Sequence, residues 1–298
     1  MPSTAPSRRT VLAVLSAAVF GSLAGCSSVP GASDSDGSDH RNWLYDQGEY
    51  TEEVIQSALW FESPTELVAA EEHLHEDVRG EYVASSMQGG PDLASVEWAL
   101  MYHHELLAAP GVRAYGGSFD STTARETTAA LAGAGDHGES LGAVGGYELV
   151  AYDDERYGLY RDGEALNVDF AASEAVVRDL VSDRAESPST LADSVQRLID
   201  RAGFGTTLSV NFHATDGNEF VGTAIGYSID GETTTVRLVS LNGSMSLDGF
   251  RELAEDLDAL SAATVDEEGP IRWLEGTVDT DRTALDGSMM YLRETPYE

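Results

Sequence analysis

Four of the seven histidines lie in two short clusters, and these clusters hold the residue types best suited to metal chemistry. His73 and His75 form the first cluster, and His103, His104 and Glu105 form the second. Imidazole and carboxylate groups are ligands of zinc, so a site in which His73 or His75 joins His103 and Glu105 is one hypothesis. Helical positions 73 and 75 point in different directions, and the chain has no His-Glu-x-x-His motif. The sequence therefore favours solvated polar side chains at these positions and predicts no metal site.

One glycine-rich segment, Gly133–Gly138, matches the dinucleotide-binding pattern G-x-G-x-x-G. That pattern binds a pyrophosphate when a strand precedes it and a helix follows it. Here a predicted helix precedes the segment and a loop follows, so we interpret it as a helix end and a connection. Ser, His and Asp are all present, but a catalytic triad assembles from distant segments and their presence alone identifies none. The sequence therefore identifies no catalytic residue and no cofactor-binding residue.

The N-terminus carries the pattern of an export signal. Arg8 and Arg9 precede an uncharged stretch, from Val11 to about Leu23, that is shorter than the roughly 20 apolar residues of a membrane-spanning helix. A stretch of this length suits the apolar region of a signal peptide. Leu23-Ala24-Gly25 then precede Cys26, the only cysteine of the chain, in the order of a lipobox. The pattern predicts cleavage before Cys26 and attachment of a lipid to its thiol.

Residues 7–26, together with the composition of the chain, resemble haloarchaeal lipoproteins exported by the twin-arginine pathway. The resemblance implies that the export machinery recognises Arg8 and Arg9 and transports a folded protein. It also implies a two-chain ether lipid on Cys26 and residence on the outer face of the cytoplasmic membrane. Val11 stands where the family usually has Phe. The resemblance does not extend to a named enzyme family for the rest of the chain.

The charge of the chain is strongly negative. It has 52 acidic and 17 basic residues among 298, a formal net charge of −35, and every basic residue is Arg. Self-repulsion at this charge is relieved by concentrated salt, because the Debye length falls to about 3 Å at 1 M. We therefore expect a salt-adapted organism. A nucleic-acid partner is excluded by repulsion from the phosphates, and the lack of Lys excludes a Walker-type loop and Schiff-base catalysis.

Composition divides the chain into four parts. Residues 1–25 are the predicted signal, and residues 26–40, rich in Ser, Gly and Asp, are a predicted flexible acidic linker. From residue 41 the composition is that of a folded chain, with 42% hydrophobic residues overall. The pattern of helices and strands begins again after Ser187-Pro188. We therefore predict one α+β half at 41–187 and a second at 188–298.

The periodicity of apolar residues predicts the elements of each half. The predicted helices are 64–82, 121–131, 173–184, a segment containing 191–199, and 247–260. The predicted strands are 53–61, 95–103, 111–119, 147–152, 156–161, 165–170, 206–214, 219–229, 234–241, 271–278 and 284–293. For residues 95–103 a helix is the alternative. Hairpin turns at Asp162-Gly163 and Asp230-Gly231 favour antiparallel pairing. These elements predict an α+β fold of antiparallel sheets with helices on one face, compatible with two ferredoxin-like (split βαβ) halves.

Two further features concern the surface and the core. Asn242-Gly243-Ser244 is an N-x-[ST] sequon in a predicted loop, so Asn242 is a candidate glycosylation site on an exported chain. The four tryptophans lie in apolar runs, and we expect them to pack in the core. They are Trp43, Trp60, Trp98 and Trp273.

These observations predict an extracytoplasmic surface protein that is anchored to the membrane through the lipid on Cys26. The sequence favours a non-catalytic role, either binding or as an accessory of an envelope complex, because no catalytic constellation can be identified. Two alternatives stay open: an extracytoplasmic hydrolase, with or without metal assistance, and a solute-binding lipoprotein of a transporter. No cofactor is predicted.

Overall fold

The computed structural model describes residues 40–50, 55–74, 92–104, 109–134, 138–171, 173–186, 191–215, 219–243, 245–257, 259–286 and 289–292. Several features predicted above lie outside the described residues: Arg8, Arg9, Cys26, linker residues 26–39, His75 and Glu105.

Five α-helices and fourteen strands are present in the described part of the chain. The helices are α1 (Pro64–Ala69), α2 (Ser121–Leu131), α3 (Glu174–Glu186), α4 (Asp193–Ala202) and α5 (Leu247–Asp256). The strands are β1 (Gln56–Glu62), β2 (Val96–His104), β3 (Gly111–Gly117), β4 (Glu139–Val144), β5 (Tyr147–Ala151), β6 (Tyr157–Arg161), β7 (Glu164–Asp169), β8 (Thr207–Ala214), β9 (Phe220–Asp230), β10 (Thr233–Leu241), β11 (Ser261–Glu268), β12 (Ile271–Asp279), β13 (Thr283–Asp286) and β14 (Met289–Leu292). Short 3-10 turns include His40–Trp43 and Gln47–Glu49, before β1.

Twelve of these strands form one sheet, and β13 and β14 pair separately. The order across the sheet is β11-β12-β10-β9-β8-β1-β2-β3-β7-β6-β5-β4, and every pair of neighbours is antiparallel. The predicted α+β class with antiparallel pairing is confirmed. Glycines with positive φ form the predicted hairpin turns at Gly163 and Gly231, because a tight turn between twisted strands needs this conformation.

Each half of the sheet repeats one topology. Three strands form a meander, a helix follows, and returning hairpins bring the last strand back beside the third. Thus β7 pairs with β3 after α2, and β12 pairs with β10 after α5. The two repeats meet where β1 pairs with β8.

The strand order does not follow the ferredoxin-like (split βαβ) arrangement. A split βαβ unit needs a crossover connection between parallel strands. In the structure α1 has only six residues and connects β1 to β2, which pair antiparallel. The segment that resembled a crossover helix is therefore part of a long hairpin connection.

Helices lie on both faces of the sheet, whereas the sequence indicated one face. The closed face bears Leu59, Tyr102 and Val210, which pack in one large core with residues of α3 and α4. The opposite face, here called the open face, carries α5 over Leu238 and Leu274. Helices cover both faces because strands such as β10 direct buried side chains to both sides of the sheet.

Helix boundaries follow local chemistry. Asp120 begins α2 as predicted, since its carboxylate accepts a hydrogen bond from the Thr123 amide at 2.8 Å. The predicted helix from 64 to 82 is wrong for residues 70–74: the helix ends at Ala69, a 3-10 turn follows, and Leu74 is extended. Leu74 is buried with Tyr227 against the open face. Residues 75–82 lie outside the described part of the chain.

Candidate binding site

The middle of the open face carries large side chains that stay half-buried. They lie on three neighbouring strands and are called the central strip: Trp60 on β1, Met101 and His103 on β2, Arg113 and Tyr115 on β3. The register places Trp60 opposite Met101, and Met101 opposite Arg113. Alternation along each strand therefore brings these five side chains to one surface.

Helices flank the central strip on the open face. On one side α2 packs on β6 and β7, and on the other α5 packs on β11 and β12. The helix α1 contacts β2 and packs Leu67 with Tyr227 at one end of the strands. The central strip thus lies on the sheet between α2 and α5, and its side chains are partly accessible to solvent.

Two contacts hold the central strip in place. The rings of Trp60 and His103 are stacked, with centroids 5.2 Å apart and an angle of 25° between their planes. The Arg113 guanidinium donates from Nε and Nη2 to Asp169 Oδ2, at 3.0 and 2.6 Å. Asn167 Nδ2 donates to the other oxygen of Asp169 at 2.7 Å. These contacts orient one aromatic pair and one cation at the surface of the sheet.

Glu62 lies at the end of β1 on the same face as Trp60. Its partners across the strands are Thr207 on β8 and Ala99 on β2. Ala99 in turn lies opposite Tyr115. Thr207, Glu62, Ala99 and Tyr115 therefore form one row across four strands, hereafter called the row. Within it, the methyl group of Ala99 lies between Glu62 and Tyr115. Both the Oε2 atom of Glu62 and the Oγ1 atom of Thr207 are inaccessible to solvent, and within the described residues neither has a hydrogen-bond partner.

Burial raises the pKa values of two groups in this row, Glu62 and Tyr115. Desolvation raises the pKa of Glu62 from 4.5 to about 7. Burial, followed by the nearby negative charge of Glu62, raises the pKa of Tyr115 to about 12, and Arg113 opposes this shift. Glu62 is therefore a carboxyl group that is poised between its neutral and ionised forms near neutral pH.

Glu164 shows how this chain holds a buried carboxylate that serves structure. It lies on the closed face, where the Tyr147 hydroxyl donates to Oε2 at 2.5 Å and Arg161 Nε donates at 2.5 Å. The Arg161 guanidinium also lies over the Tyr147 ring, 4.4 Å from its centroid. Glu164 is thus satisfied by its neighbours. Glu62 Oε2, in contrast, is buried and has no hydrogen-bond donor among the described residues.

The structure separates the two histidines that the metal hypothesis combined. His73 lies in a 3-10 turn near the β9–β10 hairpin, with Nε2 3.8 Å from the position of a Cβ on Gly231. His103 lies near the other end of the strands, stacked on Trp60, and His104 is fully buried on the closed face. No group of three or more His, Cys, Asp or Glu side chains in the described residues is arranged to hold a metal ion.

The glycine-rich segment has the reverse surroundings of a dinucleotide loop. Gly133 follows the end of α2 with φ +62°, and β4 begins just after Gly138. Residues 138–142 also match the nucleophile pattern G-x-S-x-G, which sequence reasoning missed. That pattern presents a nucleophile at a turn from a strand into a helix. Ser140 instead lies within β4, an exposed strand at the edge of the sheet.

Asn242 occupies an exposed turn after β10, with φ +52°. Its Nδ2 donates to the Phe220 carbonyl at 2.7 Å, which holds the side chain against the neighbouring strand. An amide nitrogen carries two hydrogens, so this bond leaves one for other chemistry. Glycosylation of Asn242 stays a prediction.

Sequence reasoning assigned Trp60 to the core together with the other tryptophans. Trp43, Trp98 and Trp273 are indeed buried, whereas Trp60 is half-buried in the central strip. Glu62 was missed altogether. The available signal was the alternation of QSALWFE, which puts a carboxylate on the same strand face as Trp60.

Comparisons with known proteins give a distant likeness only. No family model matches the chain, and no curated protein matches it. Among solved structures, crystal forms III, IV and I of TP0453 are similar at 10–11% sequence identity and a TM-score of 0.43. The matches cover 80% of this chain and 94–96% of TP0453. Among the described residues, no helix combines the length and apolar character needed to cross a membrane.

Proposed function

We propose that this chain is a lipid-anchored protein of the extracytoplasmic surface that acts by binding, through the central strip of the open face. The observation that carries the binding role is the half-buried state of Trp60, Met101 and Arg113 in the middle of the sheet. Large apolar and aromatic groups at the centre of a sheet are usually buried when nothing binds them.

The composition of the central strip supports a contact surface. Trp, Tyr, Met and Arg are the residue types enriched where proteins contact partners, and Trp, Tyr and Arg dominate binding energy there. The strip also contains little conformational freedom to lose. Trp60 is stacked on His103, and Arg113 is held by two hydrogen bonds to Asp169, so binding needs little further ordering.

The N-terminal sequence supports a membrane anchor. Arg8 and Arg9, the apolar stretch and the lipobox at Cys26 support export and lipidation. Two long chains hold a protein stably on a membrane, whereas one acyl chain does so only marginally. His40 already packs between Phe61 and Phe204, at ring distances of 4.7 and 4.3 Å. His40 lies 14 residues after Cys26 in the sequence, and a flexible linker of that length would span roughly 20 Å.

Membrane fractionation of a Cys26→Ser variant tests the anchor. We expect wild-type protein to remain with membranes in high salt and the variant to appear in the medium or to accumulate unprocessed. Ser27→Ala, one residue away, is the matched control and should fractionate as wild type. Normal processing and membrane retention of Cys26→Ser would exclude a lipid anchor at this position.

A thiol footprint tests the binding role. A lipidated Cys26 has no free thiol, so a Met101→Cys variant carries one reactive group, in the central strip. We expect a maleimide to label this thiol more slowly on intact cells than on purified protein, because the bound partner shields it. Glu148→Cys, exposed elsewhere on the open face, is the control and should react equally in both. Equal rates for Met101→Cys would show that the strip is unoccupied.

A further inference from the structure

We propose that Glu62, Thr207 and Tyr115 form a binding site for a small organic ammonium ion. This inference rests on the proposed binding function and specifies the chemistry of the ligand. The site lies at the edge of the central strip, where β8, β1, β2 and β3 are neighbours on the open face.

The register brings these side chains into one row on the open face. Thr207, Glu62, Ala99 and Tyr115 occupy successive positions in one row across four strands. Strands are about 4.8 Å apart, so Glu62 and Tyr115 face one another across roughly 10 Å of backbone. The only side chain between them is the methyl group of Ala99. The two side chains interact electrostatically, since the negative charge of Glu62 raises the pKa of Tyr115.

The hydrogen-bonding atoms of the site are present and unused. Glu62 Oε2 and Thr207 Oγ1 are inaccessible to water, and among the described residues neither makes a hydrogen bond. Buried polar atoms without a partner are uncommon in folded proteins, and a bound water, ion or ligand is one explanation for them. A ligand N–H that points into the row would donate to the carboxylate and to the hydroxyl.

The charge of the row selects a cation. Burial disfavours the ionised form of Glu62, and a positive ligand beside it would reverse that preference. Two charged side chains on neighbouring elements are engaged with other partners. Arg113 on β3 is bound to Asp169, and Glu66 on α1 accepts a hydrogen bond from Thr206 at 3.0 Å. Neither of them therefore supplies a positive charge to Glu62, and a cationic ligand would do so.

The chemistry favours an organic cation over a metal ion. Calcium takes six to eight oxygen ligands, at least twice what the side chains of Glu62 and Thr207 supply. The face of an aromatic ring attracts ammonium groups, and Tyr115 and Trp60 lie on the same side of the sheet as Glu62. A buried carboxylate with aromatic side chains on the same face of the sheet is suited to a protonated or quaternary amine.

Calorimetric titration of the purified mature chain in molar potassium chloride tests the site. Choline and butylammonium are the probes, and dimethylbutanol, the uncharged carbon isostere of choline, is the ligand control. We expect both cations to bind saturably and the alcohol to bind at least about tenfold more weakly. Below pH 7 binding should release a proton from Glu62 to the buffer, which appears as a heat that depends on the buffer.

Variants locate the binding. Glu62→Gln keeps the shape of the side chain and should weaken both cations at least about tenfold, while Thr207→Val should weaken butylammonium by a smaller factor. Glu148→Gln removes an exposed carboxylate from the same face and should change nothing. Near-ultraviolet circular dichroism confirms that each variant is folded. Equal affinity in Glu62→Gln, equal binding of the alcohol, or no saturable binding of either cation would overturn the inference. None of these outcomes affects the membrane fractionation or the footprint at Met101, so the proposed function fails or stands separately.

Discussion

Trp60 and His103 lie ring over ring on neighbouring strands, with 5.2 Å between centroids and 25° between ring planes. The register places His103 opposite Ala58, two residues before Trp60 along β1. The stack is therefore a diagonal contact, and it inclines the indole towards β2 at the start of the strand. This contact sets the conformation of the largest side chain in the central strip.

Removal of the imidazole should release that contact. We expect His103→Ala to lower the free energy of unfolding by about 1 kcal/mol, because aromatic pairs contribute about that much beyond their buried area. Denaturant unfolding at high salt, with Trp fluorescence, measures the change. His73→Ala is the control, since its imidazole lies in a 3-10 turn 3.5 Å from Glu72 Oε1. Equal stability of the two variants would show that the stack contributes nothing.

The buried carboxyl group of Glu62 should make stability depend on pH. Its pKa is about 7 in the folded chain against 4.5 for the free group. The folded state therefore binds a proton that the unfolded chain has lost between these values, and stability falls as pH rises through this window. Above about pH 7 the destabilisation is complete and amounts to at most about 3 kcal/mol, at 1.36 kcal/mol for each pKa unit.

Glu62→Gln should remove this pH dependence. We expect the variant to match wild type near pH 4.5 and to be more stable at about pH 8, by up to the same amount. Unfolding curves at constant salt measure both, and Glu148→Gln, an exposed carboxylate on the same face, should behave as wild type. A wild-type chain with no loss of stability between pH 4.5 and 7 relative to Glu62→Gln would contradict the assignment.

An arginine side chain covers part of β4, the strand at one edge of the sheet. Arg178 on α3 donates to the carbonyls of Leu141 and Ala143 on the edge strand β4, at 2.7 and 3.2 Å, while Glu174 holds its Nε. An uncovered strand edge is a template for pairing with another chain. The arginine thus occupies the acceptors that a second strand would use.

Arg178→Ala should expose those acceptors and promote self-association. We expect sedimentation velocity to show dimers whose fraction rises with protein concentration, through pairing of β4 with β4 of another copy. Arg251→Ala removes the same charge from an exposed pair with Asp248 on α5 and is the matched control. A variant that sediments as wild type at all concentrations would show that Arg178 does not protect the edge.

Gly116 is required by the position of Trp98. A Cβ on Gly116 would lie 2.1 Å from Cε2 of the Trp98 ring, which is 5% exposed on the closed face. We expect Gly116→Ala to lower the free energy of unfolding by about 1–3 kcal/mol, as overpacking of a core does. Gly249→Ala in α5 is the control, because its nearest neighbour would be Ser246 Oγ at 3.3 Å. The control should be neutral or stabilising by up to about 1 kcal/mol.

Strands with a clear apolar pattern were predictable, and edge strands were not. The alternation in β8, β9 and β10 and the hairpin turn at Gly231 placed three successive strands correctly within one or two residues. The strands β4 and β11 were missed. Both lie at the edges of the sheet, and most of their side chains are exposed, so apolar alternation is weak or absent.

The candidate site was predictable only in part. The sequence QSALWFE contains the alternation that puts Trp60 and Glu62 on one face of β1. It contains no information that Thr207, 145 residues later, lies opposite Glu62, or that Ala99 separates Glu62 from Tyr115. Those relations depend on the register of three strand pairs, and a shift of one residue would move every side chain to the other face.

The sequence by itself determined the α+β class, most of the strand positions, the acidic and Lys-free surface, and the pattern at Arg8, Arg9 and Cys26. These properties follow from composition and from local periodicity, which act over a few residues. Only the tertiary structure decided that both halves join one sheet through β1 and β8, that helices cover both faces, and that Glu62 Oε2 is buried with no hydrogen-bond partner among the described residues. These depend on contacts between residues distant in sequence, whose energies are set by which face and which neighbour each strand acquires on folding.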